Sequence, residues 1–248
     1  LMPRTRLVSN YRAIAHPMLV PMSGSGVVFW PPARQERYVF LYKNVLGNRL
    51  LKDEKQAALG WRQDDVMNAV VKPMVLLLQD FRDKEFVHGS IRPSNMFDGG
   101  KAARPDNVIL GDCLSVPCSY TQPILYETVQ RGMTHPAARG LGTLADDIYA
   151  FGVSLAVLLR THDPLKDMTD EEIIHAKMME GSYGAVTGKD RFKGSILELL
   201  RGMLHDDPRE RWTIEEILIW HEGQRMSPKQ SLKHKKAARP LSFHGKKY

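Results

Sequence analysis

The twelve residues 86–97, FVHGSIRPSNMF, decide how this sequence is interpreted. They place a histidine, an arginine and an asparagine close together between two segments with helical patterns. Before them, apolar residues recur at near-helical spacing from position 66 to position 81, and Pro73 is predicted to kink that helix. After them, a second apolar helix follows Asp147, whose carboxylate suits the positive end of a helix. The stretch is therefore predicted to be a polar loop held between two buried helices.

The rest of the chain predicts a small β-containing part followed by a larger helical body. Residues 27–30 and 38–42 are rich in β-branched and aromatic side chains, and PPARQER between them predicts a hairpin. The glycines in GSGVVF, from Gly24, are interpreted as an ordinary turn near that hairpin. Residues 196–204 predict a further apolar helix. Two pairs of residues have the spacing of a helical capping box: Thr169 with Glu172, and Thr213 with Glu216.

The composition is that of an ordinary globular domain with a basic C-terminal segment. The chain has 248 residues, 43% apolar and 25% charged, which is ordinary for a globular domain. The net charge of +7 is concentrated at the end, because residues 224–248 contain eight Lys or Arg and no Asp or Glu. This basic tail predicts either a solvated segment or an arm for an anionic partner. No aromatic residues alternate with the basic cluster at 233–239, so base stacking on nucleic acid is not indicated.

The cysteines and the apolar runs indicate a cellular setting. Cys113 and Cys118 form neither a disulfide framework nor a zinc site, so we expect a reducing, cytoplasmic environment. No apolar run has the length of a membrane span, and the first residues lack the apolar core of a signal peptide. A start at Leu1-Met2 suggests a fragment of a longer chain.

Residues 86–97 resemble the catalytic loop of protein kinases, His-Arg-Asp-Leu-Lys-x-x-Asn. In this loop His88 fits the histidine, Ile91 the leucine, Arg92 the lysine and Asn95 the asparagine. Further resemblances follow in the family's order and cover most of the chain. They are AHPMLVPM (15–22, the turn and strand after the regulatory helix), YVFLYKNVLGNRLL (38–51, the hinge), VILGDCLS (108–115, the metal-binding strand and loop), DDIYAFGVSLAVLL (146–159, the central helix) and DDPRERWTIEEIL (206–218, a late segment of the lower lobe).

The resemblance implies a fold and a domain organisation. We expect an α+β, protein kinase-like fold with a mainly helical lower lobe and a reduced, β-containing remnant of the upper lobe. Residues 1–43 are then the partial upper lobe, 44–223 the lower lobe and 224–248 the basic tail. The implied cofactor of an intact member is Mg²⁺-ATP, with Asn95 and Asp112 in the metal-binding positions.

The resemblance also assigns structural roles. His88 is expected to bond the backbone near Asp112, and Asp147 to receive backbone donors of the catalytic loop. Glu127 and Arg211 occupy the positions of a buried ion pair that stabilises the lower lobe in kinases.

Several departures from the family pattern bear on activity. The catalytic aspartate, which accepts the substrate's hydroxyl proton in kinases, is replaced by Ser90, and a neutral hydroxyl holds no such proton at pH 7. The neighbouring arginine is Gly89, and Cys113 stands where a phenylalanine is expected. The helix glutamate would fall near Leu7, where no acid occurs, and the Gly-rich loop and strand lysine would precede residue 1. No catalytic residue is therefore expected in the loop of His88, Ser90, Arg92 and Asn95.

Three hypotheses remain open from the sequence. The first is an inactive kinase-like domain, a pseudokinase, that binds protein partners and acts in signalling as a scaffold or regulatory module. In such a domain Asn95 and Asp112 either hold Mg²⁺-ATP weakly or only order the loop. The second is an active Ser/Thr kinase, or another phosphoryl or nucleotidyl transferase, whose upper lobe comes from upstream sequence. The third makes the tail the functional element, with Arg239-Pro240-Leu241-Ser242 as a phosphorylation pattern.

Overall fold

The computed structural model describes residues 2–52, 58–100 and 108–223, and its architecture is α+β. Within these residues two small sheets accompany a larger set of helices. The strands are β1 (Met22–Trp30), β2 (Gln35–Tyr42), β3 (Met96–Phe97) and β4 (Ile109–Leu110). The α-helices are α1 (Val8–Arg12), α2 (Gln63–Val66), α3 (Lys72–Asp83), α4 (Cys118–Thr121), α5 (Val129–Gly132), α6 (Leu144–Leu159), α7 (Asp170–Thr187), α8 (Gly194–Met203) and α9 (Ile214–His221). The predictions made for the tail, 224–248, fall outside the described residues.

The predicted hairpin is confirmed and is longer than the sequence pattern indicated. β1 and β2 pair antiparallel, with Trp30 opposite Gln35, and Arg34 completes the turn with a left-handed backbone at φ +46°. The interpretation of Gly24 as part of a turn is wrong, because it lies inside β1 next to a register shift. Val27 and Phe29 are each about 60% exposed, so this ribbon leaves apolar side chains in solvent.

Sheet β3–β4 brings the two polar segments of the candidate site together. Met96 pairs with Leu110 and Phe97 with Ile109, so the loop that ends at Asn95 lies beside the segment that begins at Gly111. An isolated parallel bridge joins Leu19 to the other side of Leu110. These short pairings fix the register between parts of the chain that are distant in sequence.

Helix α6 forms the centre of the described fold. Every residue from Asp147 to Leu159 is buried, because the helix is apolar on all sides and only a core position covers such a surface. It contacts α2, α3, α7 and α8. Its start is fixed by a capping box between Thr143 and Asp146, which the sequence analysis missed. The first turn of α6 is therefore a rigid base for the loop packed on it.

The interruption predicted at Pro73 takes the form of a π-helical turn. Residues Met67–Val71 are π-helical and link α2 to α3, and Pro73 stands in the first turn of α3. Proline has no N–H to donate, and a π-turn is one way for a helix to absorb it. The apolar face of α3 is buried, as its spacing predicts.

The two predicted capping boxes are confirmed at the starts of α7 and α9. Helix α7 is broken at Gly181, whose φ of +74° is not helical. Ser182 restarts the helix, and Asp206 accepts hydrogen bonds from both its N–H and its hydroxyl. Among the residues described, no helix is both long and apolar enough to cross a membrane.

Candidate functional site

The loop of residues 86–95 is anchored through its backbone on the first turn of α6. Asp147 is buried and accepts hydrogen bonds from the N–H groups of His88 and Gly89, each at 2.7 Å. Burial raises the pKa of Asp147 to about 7, against the opposing effect of these two amides and of Arg4. Gly89 has φ +72°, and a Cβ there would lie 3.1 Å from the Cβ of Cys118. This conformation favours glycine where the resembling family has arginine.

His88 is a structural histidine in this arrangement. Its Nδ1 accepts the N–H of Ser90 at 3.2 Å, so its Nε2 carries the proton and donates to the carbonyl of Gly111 at 3.2 Å. The ring stacks on Phe81 with centroids 5.9 Å apart. Complete burial, with the nearby Arg4 cation, lowers the pKa of His88 to about 3. The imidazole is therefore neutral and ties the loop to the segment before Asp112.

Ser90 is buried and engaged by its own loop. Its Oγ accepts hydrogen bonds from Arg92 Nη1 at 2.5 Å and from Asn95 Nδ2 at 3.3 Å. Arg92 also donates to Gln122 Oε1 at 2.8 Å, which links the loop to the segment after α4. The Ser90 hydroxyl oxygen is thus held as an acceptor by two donors of its own loop.

Asp112 is engaged by groups from two directions. The hydroxyl of Tyr42, at the end of β2, donates to Oδ1, which also accepts the N–H of Leu114 at 2.8 Å. Oδ2 accepts the N–H of Ser115 at 3.1 Å. Burial opposes ionisation of the carboxyl, but the hydrogen bonds from Ser115, Tyr42 and Leu114 outweigh it and lower the pKa of Asp112. The carboxylate thus acts as a cap for its own loop.

The two candidate metal positions lie next to each other without forming a built Mg²⁺ site. Asn95 Nδ2 donates to the carbonyls of Ser90 and Asp112, at 2.9 and 3.0 Å, so only its Oδ1 is left for a cation. Asp112 offers oxygens that already accept hydrogen bonds. Within the described ranges no cluster of three His, Cys, Asp or Glu side chains is placed to hold a metal. Mg²⁺ usually takes one or two protein carboxylates and completes its octahedron with waters and phosphates, so Asn95 Oδ1 and Asp112 are the oxygens that the described loop could offer it.

Arg4 is a site residue that the sequence analysis missed. It is buried at 7% exposure, and its Nη1 donates to the carbonyls of His88 and Cys113, at 2.6 and 2.9 Å. Its Nη2 donates to the carbonyl of Val87 at 2.6 Å. One guanidinium therefore joins the loop of residues 86–95 to the segment after Asp112. No local pattern in the sequence marks Arg4, because the carbonyls that it contacts lie more than 80 residues away.

The predicted ion pair between Glu127 and Arg211 is wrong. Glu127 Oε2 pairs instead with Arg131 Nε at 2.7 Å, and Arg139 Nη1 lies 4.0 Å from Oε1. Arg131 is four residues further along and is brought close by the short helix α5, so it reaches Glu127 first. Arg211 donates to the carbonyls of Ala145 and His205 and lies 5.0 Å from the ring centroid of Tyr149. Both residues are structural, but in separate networks.

Lys177, on α7, is a second buried cation that sequence analysis missed. It is 1% exposed, and its Nζ donates to the carbonyls of Ile124, Leu125 and Glu127 at 2.7–3.0 Å. Burial lowers the pKa of Lys177 to about 7, while Glu127 and Asp206 favour its charged form. Its sequence neighbours are ordinary for a helix, so no pattern distinguished it from an exposed lysine.

The described residues form an α+β fold in which a polar loop is anchored on a buried helix. Comparison with known proteins shows which sequences this chain is similar to. No family model matches the chain. Ribosomal protein S6 kinase alpha-6 of Mus musculus is 25% identical over 198 residues, which are 73% of this chain and 25% of the relative. The same protein of Homo sapiens is 26% identical over 211 residues, 76% of this chain and 27% of the relative. That of Danio rerio is 26% identical over 200 residues, 73% of this chain and 25% of the relative.

These similarities support a distant protein kinase-like relationship. The chain spans about a quarter of the length of the curated relatives that it matches.

Proposed function

We propose that this chain is a protein kinase-like domain that acts by binding protein partners and does not transfer phosphate. In this proposal residues 1–43 are a reduced upper lobe, 44–223 the lower lobe, and 224–248 a basic tail open to anionic partners. A kinase positions a hydroxyl, holds Mg²⁺-ATP and neutralises developing charge. The proposal rests on how the two acidic positions of that machinery are filled in this chain.

One observation carries the proposal: the carboxylate of Asp112 is already occupied by protein donors. A metal-binding aspartate must offer its oxygens to a cation, yet here the Tyr42 hydroxyl and the amides of Leu114 and Ser115 hold them. Burial and the bond to Asp112 raise the pKa of Tyr42, so the phenol stays a donor at any physiological pH. A cation would therefore compete with these donors for the oxygens of Asp112, most of all for Oδ1, which accepts two of the hydrogen bonds.

The second support is the absence of a general base at the loop. Ser90 replaces the aspartate, and Arg92 holds its hydroxyl as an acceptor. General-base catalysis contributes about 10²–10⁴-fold to rate. That range corresponds to about 3–5 kcal/mol of barrier. The loss lowers rate strongly even where a nucleotide is bound.

Calorimetry of Mg²⁺-ATP binding tests the proposal. We expect no site-specific heat for the unaltered chain at about 1 mM nucleotide, where a ligand weaker than about −4 kcal/mol does not register. Tyr42→Phe is expected to give equal or stronger binding, because it removes one of the two hydrogen bonds to Asp112 Oδ1. Tyr120→Phe, which alters an exposed tyrosine, is the matched control. Binding by the unaltered chain that Asn95→Ala and Asp112→Ala both abolish would contradict the proposal and favour an active transferase.

Phosphate transfer gives an independent prediction. We expect that neither the unaltered chain nor Ser90→Asp labels a generic Ser/Thr protein substrate with radioactive phosphate from ATP. The new carboxylate would face Arg92, which already donates to position 90, and would not restore the metal site at Asp112. Ser94→Asp is the control for an added charge in the same loop. Transfer that appears with Ser90→Asp and not with Ser94→Asp would mean that only the base is missing.

A further inference from the structure

Helix α7 carries an exposed stripe that combines methionines with acids. Its first half packs inward against α5, α6 and the turn Ile124–Tyr126. On the outside, Met179 is 72% and Met178 58% exposed, and Met168, just before the helix, is 40% exposed. Methionine is flexible and polarizable, and it is common at surfaces that bind peptides. Positions 172, 175 and 179 follow the helical period, so they lie along one side of α7, and Met168 lines the same groove from before the helix.

The stripe borders two neighbouring grooves that share Met168. One is lined by Met168, Glu171, Glu172, His175, Met179 and Glu180. The other is lined by apolar residues that include Leu125, Leu165 and Ile173, by the acids Asp163, Asp167 and Asp170, and by Lys166. We call these two grooves together the α7 surface. Its lining combines apolar side chains with more acids than lysines, which is the composition expected for a site that takes a basic and partly apolar peptide.

Much of the negative charge of the α7 surface is uncompensated. Glu172 caps the helix through Thr169, and Asp163 pairs with Arg160 at 2.8 Å. By contrast, four carboxylates make no ion pair with any residue in the described part of the chain: Asp167, Asp170, Glu171 and Glu180. Unpaired acids around exposed methionines indicate a surface that gains electrostatic energy when a cationic segment covers it.

The chain itself contains a segment with the complementary composition. Residues 224–248 hold eight Lys or Arg, no Asp or Glu, and the apolar side chains Leu241, Phe243 and Tyr248. A chain of this length reaches up to about 80 Å when extended. A globular body of roughly 220 residues has a radius of gyration of about 17 Å. The tail is therefore long enough to reach any face, and its covalent connection gives it a millimolar effective concentration, which makes a weak site effective.

We propose that the basic tail, residues 224–248, docks in cis on the α7 surface. Its lysines and arginines meet the acids of that surface, and Leu241 and Phe243 cover the methionines. This docking needs neither nucleotide nor phosphate transfer, so it holds whether or not the chain transfers phosphate. It gives the basic tail of the proposed function an anionic partner surface within the same chain.

Paramagnetic NMR on the full chain tests the docking. A nitroxide is attached at Ser242→Cys. Cys113 and Cys118 are buried, and burial raises the pKa of both thiols, so they stay unlabelled. Methionine methyl groups carry ¹³C. At low salt we expect the Met168 and Met179 signals to lose about two-thirds of their intensity or more, while Met22 on the hairpin keeps its intensity.

Charge variants supply the control. Glu171→Gln with Glu180→Gln should abolish the broadening, whereas the matched pair Glu36→Gln with Glu198→Gln, exposed on other elements, should retain it. About 0.5 M salt should also abolish it, because screening shortens the range of the attraction. Three results would each overturn the proposal: an unbroadened Met179, equal broadening at Met22, or broadening of an unlabelled copy mixed with a spin-labelled one. The last result would assign the contact to a second chain.

Discussion

Replacing Arg4 by methionine is expected to lower the free energy of unfolding by about 3–5 kcal/mol, the usual range for removing one partner from a buried charge network. The change keeps most of the apolar stem and removes only the guanidinium. The carbonyls of Val87, His88 and Cys113 then lose their donor in a buried setting. Asp147 loses a nearby cation as well, which raises its pKa further.

Urea denaturation at pH 7, followed by tryptophan fluorescence, measures the effect of the Arg4 change. Arg6→Met is the control, because Arg6 lies two residues away and is exposed, and it should shift stability by no more than about 0.5 kcal/mol. Arg4→Lys should fall between the two, since a single ammonium cannot reproduce the fork that spans both segments. If Arg4→Met and Arg6→Met unfold at the same urea concentration, Arg4 does not hold the loop.

The parts of the fold that could be predicted from the sequence are those encoded locally. Helix α6 has an apolar pattern on all sides, which admits only a buried position. The capping boxes at Thr169 and Thr213 need only four consecutive residues. The hairpin could be predicted because its two strands are close together in the sequence and are rich in β-branched and aromatic side chains. Each of these signals is complete within a few residues.

Arg4 represents the contacts that sequence analysis missed because they join distant positions. Arg4 meets His88 and Cys113 across 84 and 109 residues, and no local pattern specifies such an approach. The error at Glu127 was instead local, because its partner Arg131 is only four residues away. The helix α5 that presents Arg131 is only four residues long, so the nearer arginine was not recognised as the partner. Long-range polar contacts depend on the whole packing arrangement and on which cations happen to lie close.

Replacing Lys177 gives a second large expected effect, in a region separate from the loop of residues 86–95. Lys177→Met is expected to lower the free energy of unfolding by about 3 kcal/mol, because hydrogen bonds from a charged donor contribute about 1.5–3 kcal/mol and unsatisfied buried acceptors add a penalty. Three carbonyls, of Ile124, Leu125 and Glu127, converge on this one ammonium. Methionine matches the stem of lysine, so the change tests the ammonium and leaves the packing of α7 largely intact.

The control and a local measurement separate this role from general destabilisation. Lys166→Met, at an exposed lysine of the same region, should change stability by no more than about 0.5 kcal/mol. Hydrogen exchange adds a specific signature, since the amides of Tyr126 and Glu127 form the turn whose carbonyls Lys177 holds. These amides should exchange faster in Lys177→Met than in Arg4→Met under conditions that favour local opening. If the two variants show equal exchange there, the lysine only fills space, and its three hydrogen bonds do not organise the segment that presents Glu127 to Arg131.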